Sequence, residues 1–440
     1  MNQAELCADS TAVEWIRAHA LPLKSLEAGN GFDDLKMLDK ALHGVRIVGM
    51  GEVNHGTREF FLFKHRLFEY LVVHQGFTVF AIEASYDASV KVNDYVLYGI
   101  GDAKSALAGL GYWTWDTEEV LALIEWIRQY NQTQPENRRV KFYGFDCQFK
   151  RISIDVVKSY IKRVAPEYLE EANALLEPLY HTHDPIPPGE EGPTAEKKAA
   201  VINGLYRLIG YITHHRVRFV RRSSTKEYEE ALQNARVCVQ WYMEIGKPVT
   251  FTEQWNVRDM AMAENIEYIA KVLEPEAKIA VWAHNGHVTT NYGGEGRWRD
   301  HIQDNTEMFC MGQHLRTIFG QTYYVFGFAF NQGGFQARDQ QHPTHAVREF
   351  TLPAAREGTV EWYLSQVGYE NFIIDLRQQK QAAVEAWIAE GRPMRSWGAA
   401  FADDWTPDKY ETMRPIKSYD ALIYVDKTTR ARPNPTGIRK

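Results

Sequence analysis

The sequence predicts an α/β fold of three layers, in which a mostly parallel central sheet is flanked by helices and a helical insertion interrupts the chain. Short apolar segments rich in β-branched residues recur at wide spacing, and helical patterns fill the gaps between them, as a repeated βαβ architecture requires. One stretch, residues 151–250, has helical periodicity and no convincing strand. With 45 % hydrophobic and 24 % charged residues, the chain has the composition of a folded globular protein.

Seven segments have the length and composition of strands. The five stronger ones are residues 45–48, 78–82, 140–143, 279–282 and 323–328, and the two weaker ones are 372–374 and 421–425. The clearest helix begins after Thr57, a good N-cap, and ends at Gly76. A second helix begins at Asp116 or Thr117, and the pattern favours Asp116 as the N-cap with Glu119 completing a capping box.

The length of 440 residues exceeds the usual size of a single core, so we expect either one large domain with an insertion or two domains. Residues 1–150 and 251–429 are predicted to form the α/β body, and residues 151–250 a helical insertion that serves as a wall or a lid. The tail, 430–440, is basic and contains proline, which predicts disorder.

Charge and motif content argue against several functional classes. The net charge of −7 disfavours a nucleic-acid partner, and the local basic run 214–222 is interpreted as a solvated helix face. No segment approaches the ~20 apolar residues that cross a bilayer, no signal peptide is visible, and the four cysteines are widely separated. We therefore expect a cytoplasmic protein without a membrane partner. Because the sequence contains no Gly-x-Ser-x-Gly elbow, P-loop or dinucleotide fingerprint, we expect no nucleotide cofactor.

Six polar residues follow or end four of the predicted strands. They are Glu52 and His55 after the first strand, Glu83 at the end of the second, Asp146 after the third, and His284 and His287 after the fourth. The carboxyl ends of parallel strands share one edge of the sheet, where ligand sites form. The sequence therefore predicts that three carboxylates and three imidazoles meet in one crevice.

His55, in a loop flanked by glycines, is the predicted general base, since an imidazole near its ordinary pKa can take a proton from water. Glu52 or Glu83 would orient it. Glu83 ends an apolar strand and needs a partner there, so a buried salt bridge is the alternative for that residue. Arg258 opens another predicted helix and could hold a developing oxyanion, or it could instead pair with Asp259 or a nearby glutamate.

Four further residues are assigned to substrate binding: Trp113, Trp115, Asp116 and Asp146. The two tryptophans would line the pocket, although core packing is the alternative for at least one of them. The same Asp116 is also the predicted helix N-cap.

His284 and His287, three residues apart, together with a glutamate leave a zinc or iron site as the chemical alternative. Gly286 and the preceding strand disfavour the helix that would place both histidines on one face. We therefore predict no metal and no cofactor.

Six motifs resemble, in order, those of the erythromycin esterase family over residues 40 to about 335. They are GEVNHGTREF (51–60), IEA (82–84), YWTWD (112–116), FYGFD (142–146), RDMAMA (258–263) and WAHNGH (282–287). The resemblance implies a three-layer α/β hydrolase that opens the lactone ring of macrolide antibiotics without a metal, and so gives resistance.

In that family the histidine that matches His55 is the essential base. It is supported by the residues that match Glu52, Glu83, His284, His287 and Arg258. The family is also related to a haem-binding group and is diverse in substrate. A haem- or iron-binding module and a carbohydrate-ester hydrolase therefore remain the alternatives.

Overall fold

The computed structural model describes residues 3–181, 194–245, 250–292, 307–403 and 410–435. In these ranges the strands are β1 Leu21–Pro22, β2 Ile47–Met50, β3 Val79–Ser85, β4 Lys141–Asp146, β5 Ile279–Trp282, β6 Tyr323–Asp339, β7 Val347–Leu352, β8 Asn371–Asp375, β9 Arg392–Met394, β10 Ala400–Phe401, β11 Glu411–Met413 and β12 Ala421–Thr428. The α-helices are α1 Gln3–His19, α2 Leu38–Ala41, α3 Arg58–Gln75, α4 Val90–Tyr98, α5 Ala103–Ala108, α6 Glu118–Thr133, α7 Arg151–Val164, α8 Leu169–His181, α9 Ala195–His214, α10 Arg216–Arg222, α11 Thr225–Ile245, α12 Phe251–Tyr268, α13 Asn285–Val288, α14 Met311–Phe319, α15 Val360–Ser365, α16 Ala382–Ala389 and α17 Pro415–Ser418. A π-helical segment, Ile269–Leu273, extends α12.

The central sheet has the strand order β1-β8-β12-β6-β2-β5-β3-β4. All neighbours from β12 to β4 are parallel, while β8 and β1 add to the other edge in antiparallel pairs. Every residue of β2, β3 and β5 is buried, as expected for parallel strands covered on both faces. The predicted mixed α/β fold with a mostly parallel sheet is confirmed.

Alternate residues of the strands enter two separate apolar clusters. Val48 and Trp282 belong to the cluster that includes α3, α4 and α6. Ile47 and Val281 belong to the cluster that includes α1, α12 and α14. Because side chains along a strand point alternately to the two faces, the sheet is the middle of three layers.

The seven predicted strands all occur, and Ile279–Trp282 has the predicted bounds. The sequence pattern did not reveal β1, β7, β9, β10 and β11, which have two to six residues each. Strands this short lie at edges or in a small separate pair, where alternation is too brief to detect.

The predicted helix α3 begins after Thr57 and ends at Gly76, whose φ of 73° is left-handed. The hydroxyl of Thr57 does not cap the helix but donates to Asn54 Oδ1. For α6 the N-cap is Thr117, whose side chain accepts from the backbone N–H of Val120.

The predicted capping box of Asp116 and Glu119 is wrong. Asp116 Oδ1 accepts instead from Asn434 Nδ2, at 2.9 Å. Glu119 accepts from Arg58 Nε at 3.2 Å and from the backbone N–H of Arg432 at 3.1 Å. Both carboxylates are therefore engaged by other parts of the chain.

Helices α7 to α11 share an apolar cluster of their own, to which Leu176, Leu205 and Trp241 contribute. Across the described residues between 151 and 245 the chain is helical and has no strand, in agreement with the predicted pattern. The use of these helices as a lid stays a prediction. No helix in the described part of the chain is long and apolar enough to cross a membrane.

The predicted disorder of the tail is wrong for residues 430–435. Ala431 is fully buried, and its N–H donates to Gly56 O at 2.9 Å. The carbonyl of Arg432 accepts from Glu118 N, and Asn434 N donates to Asp116 O. Extended chain is ordered here because its backbone groups pair with two loops of the body. Residues 436–440 lie outside the described residues.

Ending the chain after Arg430 removes these bonds, and we expect the free energy of unfolding to fall by about 1 kcal/mol for each bond lost. Urea denaturation measures the loss. The matched control ends after residue 435 and retains all of them, so equal stability of the two truncated chains would contradict the assignment.

Candidate active site

Two loops at the carboxyl edge of the sheet are in direct backbone contact. The loop after β2 bonds to the loop after β5 through Asn285 N and Glu52 O, 2.8 Å apart. A Cβ at Gly51 would lie 2.1 Å from Asn285 Oδ1, and one at Gly56 would lie 1.9 Å from Gln336 O. No side chain fits at these distances, so both glycines are needed for the close approach that brings His55 towards the later histidines.

His55 is oriented by a carboxylate. Its Nδ1 lies 2.6 Å from Glu52 Oε1, so Nδ1–H donates to the carboxylate. The second oxygen, Oε2, accepts from Lys64 Nζ at 2.7 Å and from Trp282 Nε1 at 3.0 Å. Glu52 and Lys64 are fully buried. The carboxylate is thus held by three donors, and this arrangement fixes the imidazole ring.

Lys64 is a site residue that the sequence analysis missed. It is the polar residue in the otherwise apolar face of α3, and that interruption is the signal that could have identified it. Its Nζ also lies 4.4 Å from the centre of the Trp282 ring. Burial lowers the pKa of Lys64 to about 8, against the opposing attraction of Glu52.

The other ring nitrogen of His55, Nε2, makes no hydrogen bond to the described residues and is the nitrogen left to act on a ligand. The side chain exposes 10 % of its surface, enough for one edge of the ring to reach the crevice. Trp115 packs edge-on against the ring, with centroids 5.3 Å apart. Since Nδ1 carries the proton, Nε2 presents a lone pair.

Arg258 is the centre of a second buried group. Its Nη2 donates to Glu83 Oε1 at 2.9 Å and to Asp146 Oδ2 at 2.7 Å, and its Nε donates to Asp146 Oδ1 at 3.2 Å. Of the two partners predicted for Arg258, the glutamate is correct and Asp259 is not. Burial alone would raise the pKa of Glu83, but the charges of His287, His55 and Arg258 hold that pKa below its usual value.

His287 contacts Arg258 from the opposite side. Nη1 of Arg258 lies 3.0 Å from His287 Nε2, and His287 Nδ1 lies 2.9 Å from both oxygens of Asp259. Burial opposes protonation, yet the carboxylates of Asp259 and Glu83 raise the pKa of His287. Asp259 is the second functional residue whose role was missed, since its position beside Arg258 in the sequence predicted a different pairing.

His284 is kept neutral by its burial, and both of its ring nitrogens are hydrogen-bonded. Nε2 donates to the carbonyls of Val53 at 2.8 Å and Trp397 at 3.1 Å, and Nδ1 accepts from Gly286 N at 3.1 Å. Burial lowers the pKa of His284 to about 3. Both nitrogens are occupied, so this histidine connects backbone segments and has no lone pair to offer a ligand.

Of the four predicted substrate-binding residues, Asp146 is itself one of the six polar residues at the strand ends, and Trp115 lies beside them. Asp146 is bound by Arg258 and lies 3.4 Å from the hydroxyl of Tyr112. Trp115 is buried, and its Nε1 donates to Glu83 O at 2.8 Å, which fits the alternative of core packing. Trp113 is half-buried in the same loop. Asp116 is bound by Asn434. Contact of any of the four with substrate stays a prediction.

The strand-end groups do not form a metal-binding cluster. No group of three or more His, Cys, Asp or Glu side chains in the described ranges is arranged to hold a metal ion. The two later histidines, which suggested the metal alternative, have all four ring nitrogens engaged by protein groups.

Replacing Lys64 with methionine retains the shape of the side chain but leaves Glu52 without its cationic partner. Removing one member of a buried ion pair costs about 3–5 kcal/mol, and we expect a loss of unfolding free energy in that range by urea denaturation. Lys141→Met is the matched control. It breaks the partly exposed pair with Glu274 at the opposite end of the sheet and should cost about 1 kcal/mol or less. Similar losses of unfolding free energy in the two variants would contradict the conclusion that the Lys64–Glu52 pair matters to stability because it is buried.

The lowered pKa of His284 predicts a pH dependence of stability. Between about pH 4 and 6 the unfolded chain binds a proton at this position that the folded chain does not, so stability rises with pH and is lost as pH falls. In His284→Gln the slope of unfolding free energy against pH should decrease by about 1.4 kcal/mol per pH unit in this window. His43→Gln, at an exposed position, is the control. An unchanged slope in His284→Gln would contradict the neutral state of His284.

Comparison with known proteins places the chain in a family. The model of the family described as erythromycin esterase matches residues 72–428. The Bacillus subtilis (strain 168) protein YbfO is 25 % identical over 439 residues, covering 94 % of this chain and 90 % of its own. Erythromycin esterase type II of Escherichia coli is 24 % identical over 383 residues, 83 % of this chain and 88 % of its own. A crystal structure described as a succinoglycan biosynthesis protein has a TM-score of 0.82 at 22 % identity, covering 99 % of this chain and 100 % of its own. The chain belongs to the erythromycin esterase family, and this membership indicates a hydrolase.

Proposed function

We propose that the chain hydrolyses a cyclic ester, opening the lactone ring of a macrolide antibiotic with water activated by His55 and without a metal. One observation carries the proposal. Glu52, itself held by buried Lys64, accepts from His55 Nδ1, and His55 Nε2 has no hydrogen-bond partner among the described residues. Family membership and the name of the Escherichia coli relative support an ester as the substrate. In the cytoplasm this reaction would protect the cell from the antibiotic.

The reaction begins with proton transfer. His55 Nε2 removes a proton from water as the water oxygen attacks the ester carbonyl carbon. The imidazolium that forms is stabilised by Glu52, which is 2.6 Å from Nδ1. When the tetrahedral intermediate collapses, His55 returns the proton to the alkoxide leaving group. One histidine therefore acts first as base and then as acid.

Arg258 is suited to stabilise the oxyanion. A guanidinium has five N–H donors, and four of those on Arg258 are directed to Glu83, Asp146 and His287. One N–H of Nη1 has no acceptor among the described residues, and the side chain exposes 15 % of its surface. The three partners would act as positioning residues that hold the charge in place, which is the arrangement that lowers the cost of a developing oxyanion.

Replacing His55 with alanine should lower turnover ~10²–10⁴-fold because the general base is lost. The measurement is mass spectrometry of a macrolide panel, in which ring opening adds one water. His43→Ala, at an exposed position, controls for loss of a histidine as such. Near wild-type turnover by the folded His55→Ala protein would overturn the mechanism.

The same assay separates the alternatives. Turnover of carbohydrate esters without turnover of any macrolide would show that the substrate is a carbohydrate ester and would leave the proposed role of His55 unchanged. Loss of activity after chelation and recovery on adding a divalent metal would overturn metal independence. A Soret band on adding haem, without ester turnover, would favour the binding module.

A further inference from the structure

A segment from the last third of the chain crosses the site. Residues 395–399, here called the strap, connect β9 to β10. The strap is anchored by Arg395, which exposes 2 % of its surface. Its guanidinium donates to the carbonyls of Asn331 and Pro353, and its N–H donates to Glu361 Oε1 at 2.7 Å. A buried guanidinium bound to several carbonyls holds the start of the strap in place.

The strap is also bonded to the residues around His55. Trp397 N donates to Val53 O at 3.0 Å, and the carbonyl of Trp397 accepts from His284 Nε2 at 3.1 Å. Beyond these contacts, Ala399 O accepts from Arg338 N at 2.8 Å. Because bonds on both sides of Gly398 fix the backbone, the strap is a fixed wall of the crevice.

Gly398 is the point at which this wall faces the reactive nitrogen. A Cβ added there would lie 3.7 Å from His55 Nε2 and 3.8 Å from Cδ2, and, apart from its two chain neighbours, no other heavy atom of the described residues would lie within 4 Å. Gly398 is half-buried, so the gap is not closed off from solvent by surrounding residues. The missing side chain therefore leaves free space directly beside Nε2.

We propose that Gly398 is a specificity-determining residue, which admits esters substituted on the carbon next to the carbonyl. This inference rests on the proposed function of His55. The attacking water must lie within hydrogen-bond reach of Nε2, and the ester carbonyl must lie against that water. The acyl substituent then falls in the gap that Gly398 leaves open, and a methyl group from the protein would compete with it for the same volume.

The test compares two esters in Gly398→Ala: p-nitrophenyl acetate, which is unbranched, and p-nitrophenyl isobutyrate, which is branched beside the carbonyl. We expect kcat/KM for the isobutyrate to fall ~10-fold more than that for the acetate, since one methyl group in a filled pocket has effects of this size. Gly210→Ala, in α9, is the matched control because an added Cβ there meets nothing within 4 Å. An unchanged ratio of the two kcat/KM values in Gly398→Ala would overturn the inference.

A second measurement needs no turnover. Diethyl pyrocarbonate acylates an imidazole nitrogen that carries a free lone pair, and peptide mass spectrometry reports the rate at His55 alone. Gly398→Val should slow this modification at least several-fold, with an unchanged melting temperature to show that the fold is intact. An unchanged rate would overturn the inference even if neither ester is hydrolysed.

The two proposals fail in different ways. If His55→Ala retains turnover while Gly398→Val still protects His55 from diethyl pyrocarbonate, the proposed mechanism fails and the steric role of Gly398 stands. If His55 is essential but neither Gly398 variant changes the ester ratio or the modification rate, the inference about Gly398 fails and the mechanism stands.

Discussion

The buried contact between Glu52 and Lys64 is the interaction on which the rest of the site depends. A carboxylate at the end of β2 sits inside the layer between the sheet and α3, where an isolated charge would be very costly. Lys64 and the indole N–H of Trp282 offset that cost on one oxygen. The other oxygen is then free to fix the imidazole of His55. The orientation of the proposed base is therefore a consequence of how helix α3 packs on the sheet.

The charges around the site explain why the pKa values of His284 and His287 shift in opposite directions. Four buried carboxylates, those of Glu52, Glu83, Asp146 and Asp259, share the fixed cations of Lys64 and Arg258. The surplus negative charge lies around His287, whose pKa is raised by Asp259 and Glu83. His284, only three residues away, bonds to backbone groups, and burial lowers its pKa. Neighbouring positions in sequence thus have opposite electrostatic environments, so spacing alone could not assign their roles.

The rule that parallel strands share a carboxyl edge was enough to predict that six polar groups meet, because that rule depends only on the order of strands and polar residues. It could not predict Lys64 or Asp259, which lie inside helices and whose partners depend on how those helices are rotated against the sheet. The same limit applies to Asp116. Its local pattern favours a helix cap, whereas the extended segment ending at Asn434 binds its side chain. Long-range contacts decide such cases, and a local pattern contains no information about them.

The loop that carries His55 makes several backbone hydrogen bonds to later parts of the chain. Val53 O accepts from Trp397 N in the strap, and Glu52 O accepts from Asn285 N in the loop after β5. Gly56 O accepts from the backbone N–H groups of Gln336 and Ala431, and Gly56 N–H donates to Asn54 Oδ1. Inside the loop, Asn54 Oδ1 also accepts a hydrogen bond from the Thr57 hydroxyl. A base held this way needs no rearrangement when charge develops on it, and preorganisation of this kind makes electrostatic stabilisation effective. Folding of the final third of the chain is therefore a condition for the geometry at residue 55.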